Sequence, residues 1–144
     1  MTYNQIITEL ETILGNHKML KSVIPNAPAN WLFWTNQPEF PNASFDVQNG
    51  SLNAGRELQY NLSIWFLDKS GVEGEFERDV TSDMLGIAND FVSILRQEFK
   101  TYSVDKLIRW DKVEEKFEDF LTGVTLNFNI TIASDYGACD VPTL

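Results

Sequence analysis

The chain has 144 residues, 43% of them hydrophobic and 12% aromatic, with 21 Asp+Glu against 11 Lys+Arg and a formal charge of −10. That length and apolar content suit one domain, 1–144, with a core of its own and a radius of gyration of roughly 14–15 Å, and argue against a disordered chain. The acidic balance argues against a surface that grips nucleic-acid phosphates, and one cysteine (Cys139) beside one histidine (His17) makes neither a disulfide nor a Cys/His zinc site.

In chain order, residues 3–14 predict an amphipathic helix, with Ile6, Leu10, Ile13 and Leu14 at helical spacing. Thr2 or Asn4 is placed to cap its start, and Gly15-Asn16 suits a left-handed stop. Met19 to Ile24 reads as a strand broken by Pro25 and Pro28. Asn30 to Thr35 is a second strand candidate with Trp31 and Phe33 on one face, Leu32 and Trp34 on the other. Two apolar faces mean either a covered central strand or a contact surface. Asn36 to Asn42 is expected as a loop, Ser44 to Ser51 as a short strand and Asn53-Ala54-Gly55 as a turn.

Glu57 to Asp68 predicts a long strand. Leu58, Tyr60, Leu62, Ile64 and Phe66 share one face, and Gln59, Asn61, Ser63, Trp65 and Leu67 the other. Asp68 to Gly71 reads as a turn, and Val72 to Glu77 as an acidic, mobile connection. Thr81 to Phe99 predicts the longest helix, capped by Thr81 or Ser82, with Met84, Ile87, Ala88, Phe91, Ile94, Leu95 and Phe99 toward the core. Tyr102 to Trp110 is expected as a strand and Asp111 to Asp119 as an acidic connector. Val124 to Ala133 is the cleanest strand: Val124, Leu126, Phe128, Ile130 and Ile132 alternate with Thr125, Asn127, Asn129, Thr131 and Ala133. Its polar face is uncharged, fit for solvent or another subunit. The order α-β-β-β-β-α-β-β indicates an α+β fold, a mainly antiparallel sheet with two helices packed on one face.

Chemical constellations give way to plainer readings. Glu114, Glu115, Glu118 and Asp119 lack the alternating Asp/Asn and Gly of a calcium loop, and Glu73, Glu75, Glu77 and Asp79 recur every second residue as a solvated run would. His17 with Cys139 and Asp140 would need the two chain ends to meet. Gly71-Val72-Glu73-Gly74 is too short and acidic to cradle phosphate, and no nucleophile elbow, Walker loop or dinucleotide fingerprint is present. No cofactor, metal site or catalytic residue is expected. The N-terminus lacks a signal-peptide pattern, and no segment reaches the ~18 apolar residues of a membrane span, so a soluble protein made in a cytoplasm is expected.

The succession of the helix at Tyr3 to Leu14, the extended pair around Trp31 to Ser51, the strand ELQYNLSIWFLDKSG, the helix DMLGIANDFVSILRQEF and the Asn/Thr-rich last strand resembles bacteriophage head–tail joining proteins: tail terminators, tail-completion proteins and neck ring proteins. The closing Asp135 to Pro142 looks like endings of phage structural proteins. The resemblance implies a tail-terminator-like fold and a non-enzymatic virion protein, in a homo-oligomeric ring, often six-fold, beside neck or tail-tube proteins. Six copies at −10 each would carry about −60, suited to a lumen through which DNA passes without sticking. The interface is expected at Trp31, Trp34 and Trp65 and along the acidic connection at Asp68, Gly71, Glu73 and Glu75, since large aromatics concentrate interface energy. The alternative is a small acidic binding module for a ligand or host protein, built on the aromatic residues.

Overall fold

The computed structural model describes residues 2–25, 40–53, 57–69, 76–97, 101–116 and 121–133. Two helices and six strands are assigned in this order: α1 (Tyr3–Gly15), β1 (Ser22–Pro25), β2 (Asn42–Asn53), β3 (Glu57–Lys69), α2 (Glu77–Leu95), β4 (Tyr102–Val104), β5 (Arg109–Lys116) and β6 (Leu121–Ala133). The strands form one sheet in the order β1-β2-β3-β6-β4, with β5 also paired to β6. All pairs are antiparallel except β1 with β2. This is the expected α+β architecture.

β3 and β6 are the centre of the sheet. They pair without interruption from Glu57 opposite Ala133 to Lys69 opposite Leu121. Paired residues share a face, so Leu62, Ile64 and Phe66 lie beside Phe128, Leu126 and Val124, all nearly or fully buried. The alternation of both strands is thus used as the sequence predicts, with the even-numbered residues inward.

Both helices cover that face. α1 brings Ile6, Ile7, Leu10, Ile13 and Leu14, and α2 brings Met84, Ile87, Ala88, Phe91 and Leu95, into one cluster with the sheet residues. Phe91 meets Phe66 with ring centroids 6.0 Å apart, and Tyr3 of α1 meets Tyr60 edge-on at 5.8 Å. Burying a large apolar side chain is worth about 1.5–3 kcal/mol, so this shared cluster, not helix propensity, holds the two helices in place.

Several boundaries differ from the sequence reading. Thr2 does cap α1: its hydroxyl accepts from the Gln5 N–H at 3.3 Å, and the Gln5 side chain accepts from the Thr2 N–H at 2.7 Å, a capping box. The helix does not stop left-handed, however. Asn16 is right-handed (φ −82°), and its N–H and that of His17 bond back to Thr12 and Leu14. β1 is shorter than Met19 to Ile24, and β2 is longer than Ser44 to Ser51, because Asn42 and Ala43 already pair with Leu67 and Phe66.

α2 starts four residues earlier than Thr81. Its N-cap is Phe76, with no side-chain cap, and the first turn is closed by Val80 N–H to Phe76 C=O. Thr81 and Ser82 therefore lie inside the helix. The helix ends at Leu95, and Phe99 lies outside the described residues, as do the strand candidate at 30–35 and residues 70–75.

The largest correction is at the far edge. The expected strand Tyr102 to Trp110 is two strands, and Asp111 to Lys116 of the expected connector is β5. Backbone pairing with β6, from Arg109 opposite Asn127 to Lys116 opposite Leu121, holds it. Between Val104 opposite Ile130 and Arg109 opposite Asn127, four residues face only Phe128 and Asn129. The two extra residues form an outward bulge at 105–108.

Candidate functional site

The bulge is built, not loose. The Asp105 carboxylate accepts from the Asn129 backbone N–H at 3.0 Å and from its side-chain amide at 3.3 Å. A carboxylate thereby replaces the carbonyl that the interrupted ladder would supply, so the buried donor keeps a partner. From α2, Arg96 donates through Nη2 to the Asp105 carbonyl at 3.1 Å and the Lys106 carbonyl at 2.8 Å. The end of the helix is thus clamped to the bulge, and the bulge re-aims the start of β5.

A groove of about 510 Å³ lies between α2 and β5. Leu85, Gly86 and Val92 line it on the helix side, Ile108 and Trp110 on the strand side, and Leu126 is on its floor. Its origin is geometric. The buried stripe of α2 sits over β3 and β6, while β5 is one strand farther out. The helix-side residues of β5 are left uncovered by any described element. Trp110, opposite Leu126, is 48% exposed, and Leu107 in the bulge is 69% exposed. Among the described residues β5 pairs only with β6.

The opposite face of the sheet is polar for most of its length. Asn61 donates to Asn129 at 3.1 Å, Ser63 bonds Asn127, and Ser51 donates to Gln59 at 3.0 Å. These rows run across β2, β3 and β6, with Asp46 of β2 beside Ser63 as the charge among them. At one end the face turns apolar, where Leu67, Val113 and Leu121 are buried together with Phe40 and Trp65 against them.

The residues expected at an interface divide. Trp65 is half-buried in that small cluster. Asp68 is half-buried on the helix face opposite Thr122. Burial pushes its carboxyl above the usual range, with Asp83 adding to the rise, against the Lys69 N–H bond at 2.8 Å and the charges of Lys21 and Lys69. Trp31, Trp34, Gly71, Glu73 and Glu75 lie outside the described residues.

Trp110, an exposed aromatic that the structure places beside the groove, is not among the expected residues. Its signal in the sequence is Leu107-Ile108-Arg109-Trp110, three large apolar residues ahead of a charged run.

Other candidates resolve differently. His17 Nε2 lies 2.9 Å from an Asp90 oxygen on α2, and its Nδ1 accepts from the Met19 N–H at 3.2 Å. That pair ties the end of α1 to α2. Cys139 and Asp140, the imagined partners, are outside the described residues, as are Glu118 and Asp119 and the side chains of Glu114 and Glu115. Tyr102 donates to the Glu9 carboxylate at 3.3 Å, and burial, reinforced by that carboxylate, pushes its phenol far above the ordinary value. Among the described residues no group of three or more His, Cys, Asp or Glu could hold a metal ion, and no helix is long and apolar enough to cross a membrane.

No protein-family model matches the chain, and no curated protein matches it significantly.

Proposed function

We propose that the protein is a non-enzymatic structural subunit of a phage virion, a tail terminator or neck ring protein that joins head and tail. The observation that carries this reading is the exposure of Trp110 and Leu107 beside the groove at β5, the strand that among the described residues pairs only with β6. Large exposed apolar side chains beside a groove at a strand of this kind are the surface that chain-to-chain assembly uses. Charged residues along β5, Arg109, Asp111 and Lys112, guard such a strand against indiscriminate pairing. The acidic balance of the chain suits a ring around DNA, because it disfavours retention of the polymer. A hexamer beside the tail tube is the assembly favoured by the resemblance.

Imaging of particles assembled with and without the protein tests this directly. The expected result is a ring of several copies at the head–tail junction and no measurable duplex-DNA binding at physiological salt. Particles that join heads to tails equally well without it would remove the reading, as would submicromolar, salt-sensitive binding to duplex DNA. The alternative, an acidic binding module, is favoured by the groove itself, and a monomeric protein that captures a host partner there would put it ahead.

A further inference from the structure

His17 stands where α1, α2 and the turn into β1 meet, and its polar groups are all in use. Its backbone N–H donates to the Leu14 carbonyl at the end of α1, and its carbonyl accepts from the Leu20 N–H, both at 3.2 Å. Ring Nδ1 accepts from the Met19 N–H at 3.2 Å, which fastens the turn to the ring. Ring Nε2 lies 2.9 Å from Asp90 Oδ2 on α2. The His17 side chain is 17% exposed against 59% for Asp90, so the ring is the inner partner of the pair. The turn it holds packs Leu20 against the core and leads into β1, which pairs parallel with β2.

The two ring bonds fix where the proton sits. A nitrogen that accepts carries no hydrogen, so the uncharged ring has its hydrogen on Nε2, aimed at the Asp90 carboxylate. A second proton can go only to Nδ1, the atom that receives the Met19 N–H. Two hydrogens then face each other, and the Met19 N–H loses its acceptor. On the other side, a charged ring bonds a carboxylate more strongly than a neutral one does. Protonation therefore exchanges a bond inside the turn for a firmer bond to α2.

Few other charges bear on that exchange. On α2 the residues one turn to either side of Asp90 are Gly86, Ile87, Ser93 and Ile94, none of them charged, and Asp83 is two turns back. The last turn of α1, Thr12 to Gly15, carries no charge, with Glu11 just before it, and neither does β1. Lys18 is next to His17 in the turn and opposes a second cation there, whereas Asp90 favours it. The Lys21 charge acts on Asp68.

We propose that His17 is a pH-responsive latch between the turn at 17–20 and α2. Uncharged, it fastens the turn through Nδ1. Charged, as histidines become between about pH 8 and 5, it releases Met19 and grips Asp90. The shared core keeps α1 and α2 together in both states, so the freedom gained belongs to the turn and to the start of β1. The latch works in the same way whether or not the protein is a ring subunit.

The test uses the full-length chain labelled with nitrogen-15. At about pH 8 the ring should show the Nε2–H form with a bare Nδ1. From there to about pH 5, protection of the Met19 amide, corrected for the pH dependence of intrinsic exchange, should fall about fivefold in step with the ring's titration, the loss of one ordinary hydrogen bond. Amides at the centre of β3 and β6 should keep theirs. His17→Phe removes both ring bonds, so it should leave Met19 unprotected throughout and abolish the step. Asp90→Ala, at a mostly exposed position, removes only the grip. In that variant Met19 stays protected at high pH, and the Nε2–H resonance that wild type retains in acid is lost to exchange with water. Circular dichroism and thermal melts establish that both variants fold, and the tautomer and the step are read on wild type in any case. An Nδ1–H ring at high pH overturns the proposal. So does Met19 protection that stays level while the ring titrates, or a step that survives in His17→Phe, since another group would then cause it. An acid-state Nε2–H resonance that Asp90→Ala leaves in place overturns it as well.

Discussion

Replacing Gly123 by alanine should be among the most damaging single changes in the protein. Gly123 lies in β6 opposite Leu67 of β3 on one side and Val113 of β5 on the other. A Cβ there would collide with the Phe66 carbonyl oxygen and stand 2.9 Å from its carbon and 3.1 Å from the Leu67 Cα. All three atoms are backbone of the central strand, so no rotamer change relieves the clash. β6 must move off β3, which strains the ladder near its Lys69–Leu121 end and opens the buried trio Leu67, Val113 and Leu121. Overpacking a tight site costs about 1–3 kcal/mol, and weakening one or two ladder bonds adds about 1 kcal/mol each, so about 2–5 kcal/mol is expected. Against a total stability of roughly 7–15 kcal/mol for a chain this long, that is a large share. Urea unfolding followed by circular dichroism would measure it, with two other glycines as internal comparisons. Gly50 meets the Gln59 carbonyl in the same way, but in the exposed half of the β2–β3 hairpin beyond the irregularity at Val47/Asn49. There the strands can part, and Gly50→Ala should cost about 1–2 kcal/mol. Gly86→Ala, in open space, should stabilise by about 1 kcal/mol through helix propensity. A Gly123→Ala variant within about 0.5 kcal/mol of wild type, the usual range of a neutral surface change, would refute the close β3–β6 approach and the register built on it.

Three further outcomes follow from the same packing. Phe128, 2% exposed in the centre of the core, should cost about 3–5 kcal/mol when cut to alanine, measured by the shift in urea midpoint at constant slope. Asp105→Ala leaves the Asn129 N–H without its acceptor, for a loss of about 1–3 kcal/mol, and hydrogen exchange should rise first at Asn129 if the bulge is held as described. Tyr102→Phe should cost about 1 kcal/mol at neutral pH. Above about pH 10, where an ordinary tyrosine ionises, its sign reverses in slope. The folded phenol, raised by burial and by Glu9, keeps its proton while the unfolded one loses it. Wild type therefore loses stability with rising pH there, and the phenylalanine variant loses less in a melting series from pH 8 to 11.

The sequence by itself determined the elements whose own side chains carry a period. β3 and β6 alternate over most of their length, and α1 and the core stripe of α2 repeat at helical spacing, so the buried faces and the α+β class were legible before any contact was known. The polar rows of Asn61, Asn129, Ser63 and Asn127 follow from the same alternation. What it missed depends on partners distant in the chain. β5 reads Arg-Trp-Asp-Lys-Val-Glu-Glu-Lys and resembles a solvated connector, because it is held by backbone bonds to β6, and backbone bonds leave no mark on side-chain pattern. The bulge at 105–108 depends on Asp105 finding Asn129, 24 residues away, and on Arg96 reaching across from α2. The early start of α2 at Glu77 came from a backbone bond at Phe76, where no capping side chain signals it. The groove is likewise a tertiary fact: α2 lies over β3 and β6, β5 is one strand farther out, and among the described residues nothing covers its helix side, which makes Trp110 and Gly86 two walls of one groove. Local periodicity decides which face of an element is buried; only the width of the assembled sheet against the helices above it decides which faces stay open.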